Sequence, residues 1–192
     1  MLVDSLAMTR ALTDISPFLF FQNDAGAAEY FAALAPEIIS HPQVGEDLGE
    51  RMKNAFAEIF SRGFAAVAII GTDSPDLPQE YIFETFALLE HEHTDVVFGP
   101  AEDGGYYLMA LKRVWQELFA RLPWSSSGLL AASVERAKKL QMGASFLPVW
   151  HDIDTAADLK RPELLNEKCT AINTREFLIS GHQPGSRHFS DR

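Results

Sequence analysis

The residues best suited to chemistry in this chain are aspartates set in short turns. Gly71-Thr72-Asp73-Ser74-Pro75-Asp76 follows an apolar run, so a buried strand would carry Asp73 at its carboxyl end, with Pro75 stiffening the turn. Carboxylate oxygens on a rigid frame suit a hard divalent cation. The same residues could instead cap the helix that follows. A second acidic stretch, His151-Asp152-Ile153-Asp154-Thr155-Ala156-Ala157-Asp158, sets Asp152 and Asp154 on one side of an extended segment. Those two could chelate a metal together with Asp73. Equally, Asp154 or Thr155 could open a helix whose positive end Asp158 favours.

Two further segments are candidates. In Gly99-Pro100-Ala101-Glu102-Asp103-Gly104-Gly105-Tyr106-Tyr107 the paired glycines let a backbone pass close to a ligand, and Asp103 could accept hydrogen bonds from sugar hydroxyls. The competing reading is a tight connection between two strands, for which Asp-Gly is common. The polar loop at 43–51 could offer the Gln43 amide to a nucleobase and Arg51 to a phosphate, or simply start a helix. No Walker loop, GxGxxG, CxxC pair or nucleophile elbow is present.

These turns need elements to position them. Apolar, β-rich runs at 17–24, 65–70, 95–99, 106–111 and 145–150 read as strands, with a weaker extended stretch at 37–43. Amphipathic stretches at 27–35, 47–63, 79–92, around 114–121 and at 129–141 read as helices. In the clearest, at 47–63, Met52, Phe56, Ile59 and Phe60 share one face and Gly63 marks the stop. The stretch 156–171 looks helical but Pro162 should kink or split it. Apolar strands separated by helices predict an α/β domain, its mostly parallel sheet covered on both faces. Ligands of such sheets sit beyond the carboxyl ends of the strands, here the loops after Asp24, Ile70, Gly99 and Trp150.

The 192 residues suffice for one domain, and 47% hydrophobic with 22% charged residues is an ordinary globular balance. No apolar run approaches the ~20 residues of a membrane span, and nothing at the start reads as a signal peptide. The lone Cys169 fits a reducing, cytoplasmic setting. Sixteen Lys and Arg against 27 Asp and Glu give a net charge of −11. Nucleic acid and membrane are therefore not expected partners, and a phosphorylated ligand would need a metal or a local basic loop. Homo-oligomer formation stays open. Residues 181–192 have the composition of a flexible tail.

Together GTDSPDLP, GPAEDGGYYLMAL, LPWSSSGLL and DIDTAADL, with QVGEDLGERMKNAF upstream, resemble a bacterial family of nucleotide-diphospho-sugar transferases. The resemblance implies a GT-A-like fold, three layers α/β/α around a mostly parallel sheet. It implies Mg2+ or Mn2+ on Asp73, Asp154 and, less directly, Asp152. It also implies a nucleotide-diphospho-sugar donor facing Gln43, Gly45, Asp47 and Arg51. Asp103 would be the catalytic residue, with Gly104 and Gly105 facing the sugar or an acceptor of unknown identity. The implied activity is metal-dependent glycosyl transfer. The alternatives are nucleotidyl transfer, as in enzymes that make molybdopterin guanine dinucleotide or phospholactate guanylyl adducts, and a catalytically impaired remnant.

Family members open with a strand and a basic loop of the KxPxxGxVKTRL type, whereas Met1 to Leu12 resembles the helix that follows it. The expected organisation is an N-terminally incomplete domain over 1–171 with a C-terminal extension over 172–192. The strand at 17–24 is then expected to move beside 65–70, unless the segment near Phe177 to Ile179 or a neighbouring subunit takes the vacant place.

Overall fold

The computed structural model describes residues 1–180. Among the described residues, six strands and seven α-helices occur in the order α1 (Leu2–Arg10), β1 (Phe18–Phe21), α2 (Ala27–Leu34), β2 (Ile39–Pro42), α3 (Leu48–Ser61), β3 (Val67–Ile70), α4 (Gln79–Glu90), β4 (Val96–Pro100), β5 (Tyr106–Leu111), α5 (Leu129–Lys139), β6 (Ala144–Phe146), α6 (Pro162–Leu165) and α7 (Ile172–Ile179). Among the described residues no helix is long and apolar enough to cross a membrane.

Local chemistry accounts for the clearest elements. Helix α3 starts where the Asp47 carboxylate accepts the Glu50 N–H at 2.8 Å, and it buries Met52, Phe56 and Ile59 along one stripe. Strands β4 and β5 are buried almost throughout, as a sheet covered on both faces requires. Elsewhere tertiary context shortens what periodicity suggested. Only a 3-10 turn, Gln116–Phe119, forms near 114–121, flanked by extended Trp115 and Ala120. Pro162 splits the stretch at 156–171, because the residue before a proline is driven out of the helical region. Arg161 is extended, between a 3-10 turn at Asp158–Lys160 and the short α6.

The larger sheet has the order β3-β5-β4-β6. Strands β3, β4 and β6 run one way. Strand β5 is antiparallel to both of its neighbours. A tight β4–β5 connection makes that reversal possible, so the reading of 99–107 as a turn between two strands holds alongside any chemistry there. One helical layer, α3, packs on Val67 and Ile69 of β3; the opposite layer, α1 and α4, packs on Ala68 and Ile70. The result is the three-layer α/β/α arrangement.

Strands β1 and β2 form a separate parallel pair, with Phe21 opposite Pro42. Strand β1 does not move in beside β3, and Phe177 to Ile179 belong to α7 rather than to a strand. Both expectations for the vacant place therefore fail within the described residues. The reason is physical. Strand β1 is held in place by side-chain packing, its Phe18 and Phe20 with the α3 cluster and its Leu19 with Leu6 and Ile38. Helix α7 is tied to α1 by the Asp4 carboxylate, which accepts hydrogen bonds from the backbone N–H groups and side chains of Asn173 and Thr174. The proposed tail at 181–192 lies outside the described residues.

Candidate active site

The carboxylates converge at one end of the larger sheet. Asp103, on the β4–β5 turn, and Asp152 and Asp154, on the segment after β6, place ligand oxygens within 4.8 Å of one another. A backbone ladder brings the two segments together. Trp150 donates to the Pro100 carbonyl at 3.0 Å, and Glu102 donates to the Trp150 carbonyl at 3.1 Å. Asp73 stands beside this group, and its carbonyl accepts the Ile153 N–H at 2.8 Å. Its carboxylate is not one of the three clustered groups, but it shares their field.

That field is uncompensated. Burial, followed by the charges of Asp103, Asp154, Asp73 and Glu102, pushes the Asp152 carboxyl up to about 6. Burial and then Asp154 raise Asp73 as well. Among the described residues, the side chains of Asp73, Asp152 and Asp154 accept no hydrogen bond. Oxygens 4.8 Å apart can lie on opposite sides of a divalent ion whose ligand distances are roughly 2.0–2.6 Å. The donor set, hard and anionic, therefore fits a divalent cation.

Capping falls to residues next to the clustered carboxylates. Asp158 turns back to accept from Asp154 N, Thr155 N and Thr155 Oγ1, while Thr155 Oγ1 accepts from Ala157 N. Those bonds hold the Asp158 carboxyl below the usual carboxylate range. Thr155 and Asp158 thus organise the turn and leave Asp154 free. In the turn after β3, none of Asp73, Ser74 and Asp76 caps α4, whose N-cap, Pro78, makes no side-chain capping bond. Ser74 Oγ instead donates to the His151 carbonyl at 2.9 Å, and Asp76 reaches His151 Nε2 at 3.1 Å and Trp150 Nε1 at 3.4 Å.

On the turn between β4 and β5, Asp103 Oδ1 accepts the Gly105 N–H at 2.7 Å. Gly104 has φ +90°, and a Cβ there would lie 2.1 Å from the Ser127 carbonyl oxygen. Only glycine satisfies both conditions. The segment containing Trp124 and Ser127 spans from this turn to the start of α3. There a Cβ on Gly49 would lie 2.4 Å from the Trp124 ring. In the 43–51 loop, Gln43 Nε2 donates to the Phe20 carbonyl and Arg51 Nε to the Gly45 carbonyl, at 3.3 and 3.1 Å. Asp47 is the α3 cap. These four residues shape the loop and lie outside the acidic cluster.

Sequence reasoning missed Arg161 and the tie through His151. Arg161 donates to the Asp152 carbonyl and lies 3.7 Å from Asp158, while its buried Nη1 has no partner among the described residues. Trp150 stacks on His151 with ring centroids 4.7 Å apart. The available signal was position alone, immediately before and shortly after the acidic stretch.

A family model described as "Uncharacterized protein conserved in bacteria (DUF2064)" matches residues 5–126. No curated protein matches the chain. Among solved structures the chain is similar to the crystal structure of a "putative nucleotide-diphospho-sugar transferase" from Desulfovibrio desulfuricans G20. The two are 30% identical with a TM-score of 0.79, over 92% of this chain and 80% of that one.

Proposed function

The chain belongs to the DUF2064 family of bacterial proteins, and on that footing we propose that it transfers a glycosyl group from a nucleotide-diphospho-sugar with the help of a divalent metal. The observation that carries this reading is the convergence of Asp103, Asp152 and Asp154. The similar transferase from Desulfovibrio desulfuricans G20 supports the donor class. Asp103, Asp152 and Asp154 would hold Mg2+ or Mn2+, with Asp73 adding negative field beside them. When bound, the ion supplies Lewis-acid assistance by neutralising the diphosphate as it leaves.

The chain's own residues do the rest. Gly104 and Gly105 form the turn assigned to the sugar or acceptor, Gly104 letting Ser127 pack against it, and Asp103 presents its other carboxylate oxygen to a hydroxyl or to the ion. Gln43, Gly45, Asp47 and Arg51 form the loop assigned to the nucleotide. Arg161 and the Asp76–His151 pair hold the acidic segment at its depth. With a net charge of −11 and the Arg51 Nε engaged at Gly45, a diphosphate is expected to bind weakly until metal is added. A reducing, cytoplasmic setting accords with the single Cys169.

Calorimetric titration with nucleoside diphosphates and their sugars, with and without magnesium, tests the binding. Product analysis tests the chemistry. Released nucleoside diphosphate supports glycosyl transfer, whereas released pyrophosphate would replace it with nucleotidyl transfer. Metal-independent binding would remove the acidic cluster from the mechanism.

A further inference from the structure

Two contacts without slack join the turn that carries Asp103 to the start of α3. At one end, Gly104 lies against the Ser127 carbonyl, and its own carbonyl accepts the Leu130 N–H at 3.0 Å. That bond satisfies one of the free N–H groups at the start of α5. At the other end, the Trp124 ring lies on Gly49, in the first turn of α3. Three ring atoms stand 2.4–2.5 Å from where a Cβ on Gly49 would be. Only Ser125 and Ser126 separate the two contacts.

The short segment between them is stiff. Pro123 fixes its own φ, and its carbonyl accepts Ser126 Oγ at 2.8 Å. The Ser126 carbonyl accepts the Leu129 N–H at 3.0 Å. Ser125 has φ +59°, a left-handed conformation that a serine keeps only where its surroundings impose it. Trp124 itself packs on the core cluster that includes Met52 and Phe56 of α3. Residues 123–129 therefore form a strut of fixed length.

The loop before α3 is fastened to that same first turn. Glu50 Oε2 accepts the Glu46 N–H at 3.0 Å, and Asn54 Nδ2 donates to the Val44 carbonyl at 2.8 Å. A Cβ on Gly45 would lie 2.7 Å from Arg51 N. Loop and helix thus move together, and Trp124 sets where they stand. Close contacts run without a gap from Asp103 through Gly104, Ser127 and Trp124 to Gly49 and the loop.

We propose that Trp124 is a positioning residue: its ring on Gly49 sets the span between the 43–51 loop and the Asp103 turn, and so selects a ligand long enough to bridge both. The inference rests on the transferase reading and adds a determinant of donor length to it. A nucleotide-diphospho-sugar must reach from loop to turn, whereas a nucleoside monophosphate needs only the loop. Misplacing one end by about 1 Å can cost on the order of a hundred-fold in a site that works by orientation. A ring that merely filled the core would affect both ligands alike.

The test is calorimetric titration of the 192-residue chain in magnesium with UDP-glucose, GDP-mannose, ADP-glucose and CDP-glucose, each beside its nucleoside monophosphate. For the donor that binds, Trp124→Leu should weaken the nucleotide-sugar at least ten-fold and leave the monophosphate within two-fold. Trp124→Phe keeps a ring over Gly49 and should recover most of that loss. Gly49→Ala reaches the same contact from the α3 side, leaves the indole in the chain, and should repeat the selective loss if Trp124→Leu does not fold. Equal effects on both ligands, or none, in these variants would overturn the positioning role while leaving the transferase reading intact. A parent chain that binds none of the nucleotide-sugars would overturn that reading, and this inference with it.

Discussion

Asp76 Oδ2 lies 3.1 Å from His151 Nε2, and this pair fastens the turn after β3 to the segment that carries Asp152 and Asp154. Asp76 is 9% exposed, and burial raises its carboxyl above the ordinary range, offset in part by hydrogen bonds that include Trp150 and by the charge of Arg161. Ala substitution would leave His151 and Trp150 Nε1 unpartnered. Asp76→Ala is expected to cost about 2–3 kcal/mol in urea unfolding, with Asp76→Asn costing less. A change under ~0.5 kcal/mol for Asp76→Ala would show that the pair does not hold the segment.

The acidic cluster makes metal a stabilising ligand. Millimolar Mg2+ or Mn2+ should raise the thermal midpoint, since an ion that binds only the folded chain shifts the equilibrium by mass action. Asp152→Asn or Asp154→Asn should abolish the shift. If either variant responds like the parent, the ion sits elsewhere.

Without metal, Asp152 weakens the fold at neutral pH. Its folded carboxyl titrates at about 6 against an unfolded value of 3.8, so the folded chain binds the proton more tightly. The associated stability is fully present below pH ~4 and is lost as pH rises through ~6. In a chelator at pH 7.5, Asp152→Asn should be more stable than the parent by on the order of 1 kcal/mol, a figure reduced for partial solvent screening. At pH 4 the difference should vanish. Urea midpoints at the two pH values decide it.

Asp4 acts in the opposite sense. Burial alone would raise its carboxyl, but side-chain and backbone donors of Asn173 and Thr174 outweigh burial and lower it. Its contribution is present above the ordinary carboxylate value and is lost as pH falls through the lowered one. Asp4→Ala should cost about 2–4 kcal/mol, because it strips four hydrogen bonds from the start of α7. Early proteolysis near α7 in the variant would locate the loss. An unchanged digestion pattern would contradict this account.

Gly104→Ala combines a strained φ with a contact of 2.1 Å to the Ser127 carbonyl oxygen. The expected cost is about 2–4 kcal/mol. Gly63→Ala is the control, since it has a similar φ of +90° but nothing within 4 Å. Equal losses in the two variants would mean that the Ser127 contact contributes nothing.

The sequence by itself determined what short-range chemistry dictates. The spacing of Met52, Phe56 and Ile59 makes α3, Asp47 starts it, and Pro162 breaks the helix expected around it. The apolar runs at β3, β4 and β5 also set the α/β class, and with it the sheet edge at which Asp73 and Asp103 emerge. Only the tertiary structure decided which carboxylates meet. The strand reversal between β4 and β5 brings Asp103 to Asp152 and Asp154, while Asp73 is held just outside their cluster. The same holds for Asp4, which caps α7 from some 170 residues away. It holds too for β1, whose place apart from β3 is set by its pairing with β2 and its aromatic packing on α3. Periodicity and capping act over a few residues and can be read along the chain. Partner choice among several carboxylates or several strand edges depends on which groups the packed layers bring within a few ångströms, and that is settled only when the layers close.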